Sequence, residues 1–523
     1  MGNKTLAKSL SSGNPVSAEI EDLANAQDAN AFEHNLTFLQ ALRLYPTGVI
    51  WSIVMSTAVI MEGYDTKLIG TLYAQPAFQK AFGNLVKGDK YQISAPWQAG
   101  LSNGSIIGQL AGLLLAGYFC ERYGFRASMM WGLLITIAFV FITFFAKSLV
   151  VLLIGQILFG IPLGFFQTIT VIYALEITPM CLRAYLTNYV NLCWFFGQIT
   201  CIGVLRGLLS REDEWAYRIA FAVQWVWPVI LIPIVYFAPE SPWWLVRKGR
   251  VEEARMIVKR LTSPKNLQFD IDKNVALMIV TTEHERALDG RTSYRACFSK
   301  VNLTRTLIVM GIYCIQIFSG NPLRGSSTYF LEQAGLSTTQ SFNMAIVGYA
   351  VAIVGSFFSV NGLILMFALM IIIGALGVPQ AMLPDSGYSW AIGSILIVSS
   401  FLYSCTIGPL TNTLCSEIPS ALLRSKSIVL ARWVYTLTNI IVSVLNSYML
   451  NPTAWDWSAR AGFFWGGWCF IALIFALFRI PETKDRTTAE LDILFERKIT
   501  PRAFSKNPVD LTAAIEATED KAV

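Results

Sequence analysis

Apolar runs of about 20 residues recur along the whole chain with short polar breaks between them, the pattern of helices that cross a bilayer core. In the first half they fall over 46–71, 97–119, 127–146, 149–173, 186–206 and 217–237. A polar segment from 241 to about 302 follows, rich in Lys and Arg, among them Arg247, Lys248, Arg250, Lys259 and Arg260. Such an excess of positive charge places a segment in the cytosol, and the even number of preceding spans then puts both tails there too. Within it, Val251, Ala254, Ile257, Val258 and Leu261 share one helical face with charges opposite, which predicts a short amphipathic helix packed on the cytosolic side of the bundle. A helix lying on the membrane surface is the other reading, but Glu252 and Glu253 would oppose anionic lipid.

Clear spans in the second half fall over 307–330, 391–414, 427–450 and 463–478. Residues 343–378 form one apolar stretch with Asn361 as its obvious break. About 36 residues reach about 54 Å as helix, whereas two full spans need roughly 60 Å and a turn. The flanking segments LEQAGLSTTQ and PQAMLPDSGYS lack Lys and Arg, so the stretch returns to the side it left, as a cramped hairpin or a re-entrant loop.

The two halves share more than hydropathy. EITPMCLR runs from Glu176 to Arg183 and EIPSALLR from Glu417 to Arg424, about 241 residues apart, and PESP at 239–242 is echoed by PETK at 481–484. Internal duplication in a membrane chain points to a transporter with its site between the repeats. The expected organisation is a tail over 1–45, a six-helix half over 46–238, a cytosolic helical linker over 239–304, a second half over 305–479 and a tail over 480–523.

Composition narrows the class. Of 523 residues 54% are hydrophobic and 14% charged, too few charges for an ordinary soluble surface. The net charge of +6 is spread over connections and tails without a basic stripe interleaved with aromatics, which argues against a nucleic-acid partner. Nine cysteines lie mostly in apolar runs without metal-ligand spacing, and buried thiols are the plain reading. His34 and His284 both fall in polar segments, and no nucleophile with a base, phosphate-cradling loop or metal cluster appears. No enzyme, cofactor or metal is expected.

Ionisable groups inside apolar runs are the functional candidates. Glu62 and Asp65 lie in the first span. A carboxylate there is costly when ionised, so it can take up and release a proton as the cavity opens and closes. Asp65 also lies near the end of its helix beside Tyr64, Thr66 and Lys67, and plain solvation is the competing reading. Arg432 falls in the middle of SIVLARWVYTLTNIIV and is the candidate partner for those carboxylates; snorkelling toward an interface is the alternative. Arg324 is a further intramembrane cation without an assigned role.

Taken in order, GYFCERYGFR (117–126), EITPMCLR, PESPWW, EIPSALLR and PETK resemble the major facilitator superfamily, and within it the sugar porter family, over about 51–486. The resemblance implies an all-α membrane fold of two six-helix halves, about 12 transmembrane helices, around a central polar cavity, with helices 8 and 9 shortened here. It implies a cytosolic gate in which Arg122, Arg126, Arg183 and Arg424 pair with Glu121, Glu176 and Glu417 in one state and separate in another. Topology anchoring is the plainer role for each Arg. EGYDTKLIGTLYAQPAF, VLLIGQILFGIPLGFFQTITVIYALEITP and YLTNYVNLCWFFGQ resemble the maltose-type branch of fungal alpha-glucoside permeases, which import sugar with a proton. In that branch the helix-four position opposite Asp65 is a Gln, here Gln156, and Arg432 has a counterpart.

For sugar, the resemblance assigns Gln198 on helix five, Gln316 and Asn321 in YCIQIFSGNPL, and Tyr329 further along; an interhelical hydrogen bond is the alternative role for each. Two departures stand out. Asn412 occupies a position where sugar porters usually present an aromatic, and SFFSVNGLILMF carries no charge where duplication predicts a second copy of the 117–126 loop. The latter is the mark of a short internal deletion or a misread splice junction near Val360 and Asn361. The expectation is a proton-coupled importer of an alpha-glucoside such as maltose, multi-pass in the plasma membrane and self-sufficient as a monomer. A carrier of another sugar or fungal metabolite, a non-transporting sugar sensor and an inactive truncated paralogue remain open.

Overall fold

The structure, a computed structural model, describes most residues from 25 to 504. Outside the described set are 1–24, 87–89, 264–268, 290–293, 356–362, 383–386, 482–493, 505–523 and scattered positions within 26–34, 409–422 and 496–503. The first six spanning helices are α1 (Pro46–Leu72), α2 (Ala95–Tyr123), α3 (Phe125–Phe144), α4 (Leu149–Ile177), α5 (Met180–Gly207) and α6 (Trp215–Tyr236). After a linker come α7 (Lys300–Phe318), α8 (Thr338–Gly355), α9 (Leu363–Met382), α10 (Tyr388–Cys405), α11 (Arg424–Leu450) and α12 (Ala461–Arg479). Among the described residues nine of these are long and apolar enough to cross a bilayer; the apolar parts of α7 and α8 are shorter. Helix α5 makes the twelfth on length, 28 residues.

Local sequence sets the ends. Pro46 opens α1 without wasting an amide donor, and the Ser148 hydroxyl accepts from Val151 N–H to cap α4. Gly124, at φ +90, makes the turn between α2 and α3 that an L side chain would strain. The seventh span, expected unbroken over 307–330, instead ends at Phe318. Gly320 turns the chain at φ +83, and the path resumes as two short helices, Asn321–Gly325 and Ser327–Gln333. Pro322 lacks the N–H an unbroken helix would use, so the break is encoded twice.

The cramped stretch holds two helices, α8 and α9, and the residues between them, 356–362, lie outside the described set. It extends beyond 343–378 because Thr338 and its neighbours begin α8 and α9 continues through Pro379 to Met382. It runs from Thr338 to Met382, where its first-half counterpart runs from Ala95 to Phe144. Among the described residues α8 has 18 residues against 29 in α2, and α9 has the 20 of α3. The suspected junction at Val360 and Asn361 lies outside the described residues.

Packing repeats with a shift of six helices: α2 on α4 becomes α8 on α10, α1 on α5 becomes α7 on α11, and α3 on α6 becomes α9 on α12. The halves meet where α2 lies against α11 and α5 against α8. In the first half, α2 and α4 touch backbone to backbone. A Cβ on Gly108 would sit 2.0 Å from Ile157 O, and one on Gly160 2.2 Å from Ser105 O. The equivalent α8–α10 contact is looser: Gly348 faces an Ile397 side-chain carbon at 3.7 Å.

The linker carries helices Pro242–Arg247, Val251–Leu261 and Ile271–Asp289. The amphipathic one buries Ala254, Val258 and Leu261 against the first half. Helix α7 begins at Lys300, inside the range expected for the linker. The segment before α1, expected as tail, carries helix Phe38–Leu44, closed by a Thr37–Gln40 capping box, and Asp28 pairs with Lys273 at 2.7 Å. Beyond α12, Leu494, Phe495 and Phe504 are buried against the start of α7, with the Arg305 guanidinium 4.6 Å over the Phe495 ring. At the end of the bundle opposite the linker, Asn84–Val86 and Lys90–Gln92 pair as a small antiparallel hairpin.

Candidate functional site

Glu62 and Asp65 lie one helical turn apart on α1 and differ in what they face. Asp65 is 2% exposed, so it is not a solvated helix end. Its Oδ2 accepts from Ser105 Oγ of α2 at 2.7 Å and its Oδ1 from Gln224 Nε2 of α6 at 3.1 Å. Gln156 of α4 is fully buried beside the same carboxylate, and its amide makes no hydrogen bond among the described residues. Asp65 is therefore gripped within the first half by neutral donors.

Glu62 is also buried, but sparsely served. Oε1 accepts from Gln167 Nε2 of α4 at 3.2 Å, and Oε2 has no partner among the described residues. The charge that acts on it across the halves is Arg432 of α11. That guanidinium is partly buried and lies 5.4 Å over the Tyr313 ring, beside Tyr435. A carboxylate of one half thus lies in the field of a cation of the other, an attraction that depends on how the halves sit.

Gln198 of α5 is 1% exposed, with its Nε2 unpartnered among the described residues. Gln316 and Asn321 flank the α7 break and are partly exposed. Asn446 of α11, not singled out by sequence, donates to Pro322 O at 3.4 Å and Ser326 Oγ at 3.3 Å, and its own Oδ1 has no partner among the described residues. Unsatisfied amides on opposing helices are what a polyhydroxylated ligand needs. Asn412 lies outside the described residues.

Tyr329 sits elsewhere, in a seam that closes the end opposite the linker. Its hydroxyl donates to Gln92 Oε1 at 3.2 Å and accepts from Gln98 Nε2 at 3.3 Å, and its ring meets Tyr73 edge-on at 6.1 Å. In the same seam Asn451 Nδ2 donates to Ile93 O at 2.8 Å, and Arg206 Nε donates to Asn343 Oδ1 at 2.9 Å. Lys67, read in the sequence as part of a solvated helix end, is 5% exposed and donates from Nζ to Gly325 O at 2.5 Å. Arg324 is buried too, donating to Ser319 O at 2.8 Å beneath the Tyr403 ring.

At the linker end, Glu176 receives Arg247 Nη2 at 2.7 Å and the Ser241 hydroxyl. Arg183 Nε reaches Thr178 O at 3.4 Å. Glu121, Arg122 and Arg126 are exposed, and the Glu121 carbonyl accepts from the Trp244 indole at 2.9 Å. Glu417 lies outside the described residues, as does the side chain of Arg424. Glu240 of the PESP segment is the added member: it accepts from Phe125 N–H at 2.7 Å and Arg126 N–H at 3.2 Å, capping α3. Burial pushes its carboxyl above the ordinary range, while those backbone donors draw it down.

Lys67 and Gln167 carried the signal of polar groups inside apolar runs, and Glu240 lay in the repeated PESP segment; the role of Asn446 became visible only through its tertiary neighbours.

Two pseudo-equivalent six-helix bundles, enclosing charged groups between them, define a secondary transporter of the major facilitator fold. The fold likeness is direct: the proton:xylose symporter XylE bound to 6-bromo-6-deoxy-D-glucose superposes with a TM-score of 0.64 at 21% identity, covering 86% of this chain and all of that one. An inward-open xylose transporter XylE from E. coli gives 0.65 at 19% identity, covering 85% and 98%. Residues 51–495 match the family described as sugar (and other) transporter, and the chain belongs to that family. In Saccharomyces cerevisiae, the general alpha-glucoside permease is 38% identical over 94% of this chain and 82% of its own. Maltose permease MAL31 is 38% identical over 95% and 83%, and alpha-glucosides permease MPH3 40% over 96% and 86%.

Proposed function

We propose that the protein imports an alpha-glucoside of the maltose type together with a proton by alternating access. The observation that carries this reading is the pair of buried carboxylates on α1, Glu62 and Asp65, in a bundle whose other half carries the guanidinium of Arg432 inside a span. Asp65 carries the proton and Glu62 with Arg432 senses how the halves are set. Gln198, Gln316, Asn321 and Asn446 offer hydrogen bonds to sugar hydroxyls, and Asn412 adds an amide where an aromatic would stack. The names of the yeast relatives support the sugar class.

The Lys- and Arg-rich linker faces the cytosol by positive-inside reasoning. The sealed seam with Tyr329 is then the extracellular face, and this state is closed outside. Glu121, Arg122, Arg126, Glu176, Arg183, Glu417 and Arg424 form the cytosolic gate, joined by Glu240 and Arg247. The chain works as a monomer in the plasma membrane with both termini inside. Expressed in yeast lacking its own alpha-glucoside carriers, with surface display measured, it takes up labelled maltose faster at acidic than at neutral pH. Surface display without uptake, or uptake indifferent to pH, would sink the reading. Competition by other glycosides identifies the alternative that Asn412 favours, a carrier for a different glycoside.

A further inference from the structure

A lysine inside a membrane span needs a reason, because a buried ammonium stays charged only with partners close by. Lys67 finds them in the other half. Its Nζ donates to Gly325 O at 2.5 Å, at the joint between the two short helices that continue α7, and lies 5.0 Å over the Tyr349 ring of α8. Among the described residues it pairs with no carboxylate. The nearest charged group of its own helix, Asp65, is taken by Ser105 and Gln224, and Arg324 across the seam is a second cation held by Ser319 and Tyr403.

We propose that Lys67 is the latch of the extracellular seam, a positioning residue for alternating access. Asp65 fastens this stretch of α1 to α2 and α6, so α1 moves with the first half. Lys67, two residues on, grips a carbonyl and a ring that move with the second. Parting the halves at this end strips the ammonium of both partners, so the interaction exists in one state and not in the other, as a bias between states requires. The carbonyl and the ring take up Lys67 without a counter-anion, which leaves the contact insensitive to the proton on Asp65 except through the position of α1.

The seam contains its own reporter. Cys201 of α5 is fully buried in the apolar cluster that holds Tyr64 and Leu68 of α1 and against which Tyr349 packs. The inference rests on alternating access and on the extracellular assignment of this end, not on the identity of the sugar, and the labelling readout needs no substrate. In intact cells displaying the full chain, a membrane-impermeant maleimide added outside labels Cys201 slowly. Lys67→Met raises that rate on the order of tenfold, the scale of losing one hydrogen bond to a charged group. Cys201→Ser removes the gain, and Lys67→Arg, which keeps donor and charge, returns the slow rate. In uptake, Lys67→Met lowers kcat while KM for external sugar holds or falls. Unchanged labelling in surface-displayed Lys67→Met, fast labelling of the native chain, or failure of Lys67→Arg to restore the slow rate overturns the latch. If Lys67→Met does not reach the surface, Tyr349→Leu takes its place: faster labelling supports the latch and an unchanged rate overturns it. Absence of maltose uptake with the labelling pattern intact refutes the sugar assignment and leaves the latch standing.

Discussion

Replacing Asp65 by Asn separates coupling from structure, because the site accepts the amide almost without loss. Asn Oδ1 can still accept from Gln224, which now donates at 3.1 Å. The Ser105 hydroxyl, now donating at 2.7 Å, can turn and accept from the new Nδ2, since a hydroxyl serves both ways. Two charge-assisted hydrogen bonds become neutral ones, a loss of about 1–2 kcal/mol offset by no longer burying a charge. What disappears is the proton. In liposomes with the membrane potential clamped and an imposed gradient of about two pH units, one proton per sugar supplies about 2.7 kcal/mol, enough for roughly hundredfold accumulation. The native chain is expected to concentrate labelled sugar toward that limit, whereas Asp65→Asn should only equilibrate it, with counterflow exchange retained. Uphill accumulation by Asp65→Asn would show that the proton travels on another group and refute the assignment.

Glu62→Gln keeps the acceptor for Gln167 but removes the charge that the field of Arg432 acts on; initial-rate uptake should lose on the order of tenfold in kcat with little change in KM, about 1.4 kcal/mol of barrier. Gly160→Ala drives a Cβ to within 2.2 Å of Ser105 O and should cost at least about 1–3 kcal/mol through overpacking, seen as lost surface display, whereas Gly100→Ala on α2, with open space around it, should be displayed normally. Glu240→Ala removes the cap of α3 and should lower thermal stability in detergent by about 0.5–2 kcal/mol. Because burial raises the Glu240 carboxyl, its contribution is complete below the ordinary carboxylate range and is lost as pH rises through the folded value, so the gap between native and variant should narrow from pH 4 toward neutrality.

Most spans were legible because 20 apolar residues have few other uses, and the duplication was written in charged octamers that hydropathy could not blur. The break in α7 was missed although Gly320 and Pro322 both announced it, because a window averaged over 20 residues smooths a two-residue turn. The 343–378 stretch looked too short because polar Thr338 and the Pro379 region, discounted as loop, are helical. Glu62, Asp65 and Arg432 stood out by the cost of charge in lipid, yet that argument is blind to partners: Ser105, Gln167 and Gln224 are ordinary polar residues until the fold brings them to a carboxylate. Tyr329 was placed with the sugar ligands by its distance along α7, whereas the break rotates it into the seam.

The two halves differ in how their central pair of helices touch. Where α2 meets α4 at Gly108 and Gly160, carbonyls and α-carbons abut, so sliding one helix along the other would drive main chain into main chain. Where α8 meets α10, Gly348 faces a side-chain carbon of Ile397, which can turn to a new rotamer and let the helices shear. The first half should behave as a fixed jaw and the second as the one that yields. Inherited variation should therefore be tolerated along α8 and α10 and purged from α2 and α4.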